Sequence, residues 1–398
     1  MEDSAPSDAR PHEPTGPSEP PPPGPPEPGS PRRLALAGAA LALVLFILVG
    51  GSVQFLNAAF GIWFTELFIF LALGWLLPRM SGWKPALFTG LTPLPGLPTL
   101  FGFLLGVANF FALVVPIQFV AQKLAPEWLT EMFDGSRLFE QQTPVELAVI
   151  LAGVTVAAPF CEELFFRGVF QRGLTPRPPA SPMKALVISA VVFSAFHLDP
   201  VGFVARVELG LLFGWLYLRT GSLWPGIGAH AANNLVSSVL FLAAKSMGQE
   251  ATDTDTSPLA VLSLAGLGWM GLLGLMTFAR HHASVWGAGM PHSDESARET
   301  RPVPSLPKLM LPWVTAATVS LVLLGVVDRR GISLNLFDVA HPLTPLKKDA
   351  EPGLQAERKA LEELRSAARR GTAPMEAYHE ERLRQVSAHK AAGGPKLP

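Results

Sequence analysis

The segment CEELFFRGVF, residues 161–170, follows sixteen residues, Val145 to Phe160, of which only Glu146, Gly153, Thr155 and Pro159 are not plainly apolar. A run of that length and apolarity reads as a membrane span. Two acids and an arginine therefore stand where the helix would still be in hydrocarbon, at a cost on the order of 2.5–3.5 kcal/mol per charge on insertion scales. What returns that cost decides both the fold and the function.

Working outward, hydrophobic residues make up 49% of the 398 and charged residues 16%. That is more apolar surface than a soluble core of this length needs. The expected fold is an all-α, polytopic transmembrane bundle of about eight or nine helices. A net charge of −1 points to no nucleic-acid partner, and the single cysteine, Cys161, cannot form an internal disulfide. Residues 1–33 hold twelve prolines and almost no large apolar side chain, so they read as a disordered tail without the features of a signal peptide.

Apolar stretches long enough to cross about 30 Å of hydrocarbon lie at 34–56, 58–78, 98–121, 145–171, 201–219, 224–244, 258–279 and 309–327, with a shorter one at 184–197. The transmembrane domain is thus expected over 34–327. Arg32 and Arg33, Arg79 and Lys84, Arg172, Arg177 and Lys184, and Arg280 fall in alternate loops, which places those loops and the N-terminus in the cytoplasm. Loops 122–144 and 245–257, with Glu127, Glu131, Asp134, Glu140, Glu250, Asp253 and Asp255, belong outside. The last span would then leave the tail 328–398 outside, against the sign of Arg329, Arg330, Lys347 and Lys348. That tail is expected to be charged and partly helical, with Arg358 and Glu362, and Lys359 and Glu363, at four-residue spacing.

Thr143, Pro144 and Glu146 make a helix start with a hydroxyl cap, a proline in the first turn and an acid three residues after the cap. From there Glu162 lies roughly 25 Å along at 1.5 Å per residue. Glu163 and Arg167, four apart, share a face and are expected to pair, while Glu162 points about 100° away and stays free. Pro159 removes the backbone donor to the Thr155 carbonyl and should open a polar notch near Glu162.

FSAFH brings Phe193 and His197, and HAANN puts His230 and Asn234 on one face of a later span. Alternating helix directions let Glu162, His197, His230 and Asn234 meet at one depth. A glutamate in a dry site can take a proton from water with a histidine sharing the work, for about 10²–10⁴ in rate. Histidine and asparagine can donate to an oxyanion, about 10²–10³ per donor. The set describes amide hydrolysis without a protein nucleophile. No HExxH occurs, and Cys161 is more simply a packing thiol.

EELFFR (Glu162, Glu163, Arg167), FSAFH (Phe193, His197) and HAANN (His230, Asn234) resemble the EExxxR, FxxxH and HxxxN motifs of the CPBP family of intramembrane proteases. That family includes type II CaaX prenyl endopeptidases and bacterial Abi or bacteriocin-immunity proteins. The resemblance covers roughly residues 145–245, the expected catalytic core. It implies a membrane peptidase acting on a peptide or protein substrate, lipidated at its C-terminus in the CaaX case, with membrane lipid as its surroundings. Glu162 and His197 would activate water, His230 and Asn234 would stabilise the oxyanion, and Glu163, Arg167 and Phe193 would support the site. Family descriptions as metalloproteases keep zinc open as a cofactor, with Glu162, His197 and His230 as candidate ligands.

Glu66, Arg206 and Glu208 are also expensive in lipid and fall outside these motifs, as cavity-lining groups or a pair; His281 and His282 sit past a span end at the headgroups. Two other functions suit some of the same residues. A proton-coupled transporter uses intramembrane Glu and His, although no inverted repeat is visible. A non-catalytic immunity or scaffolding protein would carry four convergent polar groups with nothing to offset their insertion.

Overall fold

The computed structural model describes residues 28–91, 93, 95–139, 143–176, 180–247, 257–287, 294–343 and 351–391. Most of the proline-rich segment, and Glu140, Arg177, Glu250, Asp253, Asp255, Lys347 and Lys348 from the charge reading, lie outside the described residues.

The bundle is α1 (Pro31–Leu56), α2 (Ala58–Met80), α3 (Gly96–Leu124), α4 (Pro144–Leu174), α5 (Met183–Phe196), α6 (Phe203–Thr220), α7 (Trp224–Ser246), α8 (Pro258–His281) and α9 (Leu306–Val327). Seven of these are long and apolar enough to cross a membrane, and the described residues contain no strand. Large apolar side chains such as Leu262, Met270, Val322 and Val326 are exposed on α8 and α9, which suits a surface solvated by lipid.

The span expected at 201–219 is the one departure among the long segments. It forms the 18-residue helix α6, but Arg206, Glu208 and Arg219 keep it out of the seven apolar helices. Its partner α5 has only 14 residues, about 21 Å at 1.5 Å per residue. The pair packs closely as a hairpin against α4, and in its turn Val201 and Gly202 are buried while His197, Leu198 and Pro200 are exposed.

Two prolines shape the long helices. In α4 the turn Gly153–Ala157 is widened to i→i−5 bonding just before Pro159, and in α3 Phe110–Val114 is widened just before Pro116. A proline cannot donate, so the hydrogen-bond register shifts around it. The start of α4 is the capping box anticipated from Thr143 and Glu146: the Glu146 N–H donates to Thr143 Oγ1 (3.2 Å) and the Thr143 N–H to Glu146 Oε2 (3.0 Å).

The closest helix pair is α3 with α7. Gly102 and Gly106, four apart on α3, face the α7 backbone: a Cβ at Gly102 would lie 2.2 Å from the Pro225 carbonyl oxygen, and one at Gly106 2.4 Å from that of Ala229. Small residues at this spacing let two membrane helices touch backbone to backbone, and here they set the depth of His230.

The segment expected as a tail forms α10 (Arg329–Ala340), α11 (Pro352–Arg370) and α12 (Met375–Ala391), closed over Leu334, Leu361, Ala368 and Tyr378. It docks on the end of the bundle where α4 begins. Arg369 pairs with Asp328 (2.8 Å) and Glu146 (2.9 Å), and Asn335 Nδ2 donates to the carbonyls of Phe55 (3.0 Å) and Leu56 (2.8 Å). The opposite end joins the start of α1 to the α8–α9 connection, with Trp83 Nε1 donating to the Gly29 carbonyl (3.0 Å) and Arg79 paired with Glu299 (3.1 Å). Of the residues against the sign of the charge reading, Arg330 has a local use in donating to the Ala368 carbonyl (3.2 Å); Arg365, nearby, pairs with Asp338 (2.7 Å).

Gly106→Val is expected to push α3 from α7 and cost about 1–3 kcal/mol, the usual range for overpacking. Thermal unfolding in detergent measures it, and a Tm equal to wild type would show that the two helices do not meet there.

Candidate active site

On α4, Glu163, Arg167 and Gln171 recur every four residues and so form one polar stripe. All three are buried, Arg167 completely. Arg167 Nη1 donates to Glu163 Oε1 at 2.6 Å, its Nη2 to the Gly210 carbonyl at 3.3 Å, and Gln171 Nε2 to the Gly214 carbonyl at 3.0 Å. The guanidinium also lies 4.4 Å from the Phe193 ring centre and 5.2 Å from that of Phe213. A buried cation is tolerable when carboxylate, carbonyl and ring faces share its charge. The expected Glu163–Arg167 pair is thus formed. Gln171 and the two glycines of α6 were not singled out, although their four-residue spacing matches that of the stripe.

Glu163 has a second partner, which its spacing to Arg167 does not reveal. His230 on α7 places Nδ1 3.0 Å from the same Oε1. A carboxylate bound to a guanidinium can only accept, so Nδ1 carries the proton and Nε2 presents its lone pair. The imidazole is stacked on Phe213 (4.8 Å, 17°) and meets the edge of Phe193 (5.7 Å). Its Nε2 faces Glu162 Oε2 at 3.9 Å, too far for a direct bond and close enough for one water to touch both. That Glu162 oxygen is buried without a hydrogen-bond partner among the described residues.

His197 stands where α5 ends. Its Nδ1 is 3.0 Å from the Phe193 carbonyl oxygen, which again puts the proton on Nδ1 and leaves Nε2 open. The Phe193 ring lies 5.1 Å from His197, so one aromatic side chain spaces both imidazoles and carries the Arg167 guanidinium. Leu198 follows at φ 53°, a left-handed backbone that a branched side chain seldom adopts outside a constrained turn. Asp199 holds that turn by accepting from the N–H groups of Val201 (2.8 Å) and Gly202 (3.2 Å) and by pairing with Arg206. Glu208 accepts from Asn109 Nδ2 at 2.9 Å. Arg206 and Glu208 therefore have separate partners and do not pair with each other.

Asn234 Nδ2 donates to the Val154 carbonyl at 2.7 Å. The reason lies in the widened turn: the Ala158 N–H bonds to the Gly153 carbonyl, and the next donor in that register would be Pro159, which has none. The notch expected at Thr155 is thus displaced to Val154. Asn233 Nδ2 donates to Asn234 Oδ1 (3.1 Å), and among the described residues the Asn234 Nδ2 has the Val154 carbonyl as its one acceptor. The structure brings Glu162, Glu163, Arg167, Phe193 and His230 together, attaches His197 through Phe193, and ties Asn234 to the notch in α4.

The zinc alternative needs three converging protein ligands. Among the described residues no group of three His, Cys, Asp or Glu side chains is arranged to hold a metal. Glu162 and His230 form only a pair, so the donor set does not fit, and no step below is routed through a metal. Cys161 is a buried free thiol.

A helical membrane bundle with a carboxylate–imidazole site walled by aromatic rings is the class these observations define. Residues 144–236, from the first turn of α4 into α7, match the family model described as Type II CAAX prenyl endopeptidase Rce1-like. That segment, under a quarter of the chain, is what the chain shares with this family of peptidases. Neither the curated proteins nor the solved structures contain a match to the chain.

Glu163→Ala and Arg167→Ala should each destabilise the protein by about 3–5 kcal/mol, because each leaves a buried charge uncompensated. The double variant should lose less than the sum of the two. Additive losses in thermal unfolding would mean the pair contributes no coupling.

Proposed function

We propose that the chain is an integral membrane endopeptidase that hydrolyses a peptide bond with water activated by Glu162. The reading rests on one observation: a buried Glu162 oxygen without a partner, 3.9 Å from the Nε2 of a histidine whose other nitrogen is held by Glu163. A water in that gap gives a hydrogen bond to Nε2 and a proton to the carboxylate as it attacks the scissile carbonyl. His197 presents a second open Nε2 for the same water. The tetrahedral intermediate carries an oxyanion, to which the second N–H of the Asn234 amide would donate. His230 Nε2 keeps accepting from the added hydroxyl, and Glu163 holds the ring in that tautomer through Nδ1. Glu162 then returns its proton to the leaving amine.

Likeness to the family supports a substrate whose scissile bond lies near a C-terminus bearing a lipid chain, which would anchor it at the depth of the site. The arginine-bearing end of the bundle, with Arg32, Arg33, Arg79 and Lys84, is assigned to the cytoplasm.

A fluorescence-quenched farnesylated peptide presented to purified protein in proteoliposomes tests the reading. Glu162→Ala should accumulate in membranes and show no cleavage. Asn234→Ala should lower kcat by about 10²–10³ with little change in KM, because the donor acts on charge that develops in the transition state. Full activity of Glu162→Ala, or stoichiometric zinc in active wild type that is lost in His230→Ala, overturns the mechanism.

Cys161→Ser should keep most of the activity, since the nucleophile is water and the thiol only neighbours Glu162. Inactivation of a well-folded Cys161→Ser enzyme would point to a covalent intermediate.

A further inference from the structure

His197 is the first residue past α5. Its N–H donates to the Ser194 carbonyl (3.2 Å), and that of Leu198 to the Ala195 carbonyl (3.1 Å). A helix end closed by bonds of this short spacing frays readily. The imidazole is exposed, and among the described residues it makes one hydrogen bond, from Nδ1 to the Phe193 carbonyl. Leu198 then turns the chain at φ 53°, at a position where helices more often end on glycine or asparagine. A leucine does not favour that backbone by itself, so the residues that follow must hold it.

Asp199 and Pro200 build the turn that does so. Proline fixes its own φ and restricts the residue before it, and an aspartate in that place accepts from the N–H groups that follow. Oδ1 of Asp199 takes two of them, from Val201 (2.8 Å) and Gly202 (3.2 Å). Oδ2 is paired with Arg206, whose Nη2 also donates to the Asp199 carbonyl (3.3 Å). Arg206 stands in the first turn of α6, where the helix dipole disfavours a cation, and Asp199 offsets that. The Ser194 hydroxyl donates to the Phe203 carbonyl (2.7 Å) and so closes the end of α5 onto the start of α6. The turn is fastened on both sides of an exposed histidine that has one bond of its own.

We propose that Asp199 is a positioning residue of the hydrolytic site: the turn it builds with Arg206 holds Leu198 in its left-handed backbone and keeps the His197 imidazole against the Phe193 ring with Nε2 open. The assignment rests on the reading of His197 as a partner for the attacking water. It gives Asp199 and Arg206, which fall outside the three motifs, a use that offsets the cost of placing charge near hydrocarbon.

Cleavage of the farnesylated peptide in proteoliposomes is compared for Asp199→Ala, Asp199→Asn, His197→Gln and the double variant Asp199→Ala with His197→Gln. Asp199→Ala should lower kcat about 10²-fold, the loss that a misplacement on the order of 1 Å brings, with KM close to wild type. Asp199→Asn, which keeps the oxygen that accepts from Val201 and Gly202, should recover most of that loss. In the His197→Gln background Asp199→Ala should lower kcat no further, because it acts through that imidazole. Nitrogen NMR at about pH 8, above the ordinary histidine range, reads the ring directly. The His197 signals, identified by their absence in His197→Gln, should report one Nδ1–H tautomer in wild type and averaging between tautomers in Asp199→Ala. A further loss of kcat in the double variant, full kcat in Asp199→Ala beside an impaired His197→Gln, or an unchanged ring signal in Asp199→Ala overturns the proposal. No cleavage by wild type together with averaging in Asp199→Ala sinks the peptidase reading and supports the positioning of His197.

Discussion

One oxygen, Oε1 of Glu163, organises the site. It accepts from Arg167 one helical turn further along α4 and from His230 on α7, both within 3.0 Å. Arg167 extends the connection to α6 through the Gly210 carbonyl and to α5 through the Phe193 ring. Three helices are thus tied to α4, directly or through Arg167, by a single buried carboxylate. The same bond sets the tautomer of His230, so the lone pair of Nε2 turns toward Glu162.

Glu162 and Glu163 are neighbours of opposite character because of helical geometry. Successive positions on a helix are about 100° apart, so one carboxylate meets the arginine of its own face and the other meets the α2 wall and the tip of His230. Glu163 has two partners on Oε1 although its Oε2 has none among the described residues, whereas Glu162 has no hydrogen bond on its buried Oε2 and is unfavourable unless put to use. The two acids together join a rigid support to a reactive group.

Local rules of helix formation are broken where the site is built. Pro159 interrupts α4 and frees the carbonyl that Asn234 caps. Gly102 and Gly106 weaken α3 as an isolated helix and bring the α7 backbone against it. Leu198 takes a left-handed backbone directly after His197. Each departure disfavours the local structure and is compensated by packing or hydrogen bonding elsewhere, the pattern expected of functional positions. The C-terminal helices extend the same economy of charge, with Arg369 joining them to Asp328 and to the capping residue Glu146.

Hydropathy and spacing were enough for the membrane bundle, for the capped start of α4 and for the Glu163–Arg167 pair, because each depends on residues close in the chain. The same reasoning placed a helix at 201–219, found as α6, but could not tell that its Arg206 and Glu208 take Asp199 and Asn109 as partners. It put the notch at Thr155, because it counted i→i−4 bonds where the turn before Pro159 is wound i→i−5, which moves the orphaned carbonyl to Val154. That His230 shares Glu163 with Arg167 and that Phe193 spaces both histidines are long-range facts. Sequence carried the chemistry of each side chain and its face on its own helix. Tertiary packing alone decided which faces meet, because the depth and rotation of a membrane helix are set by its contacts with other helices and not by its own composition.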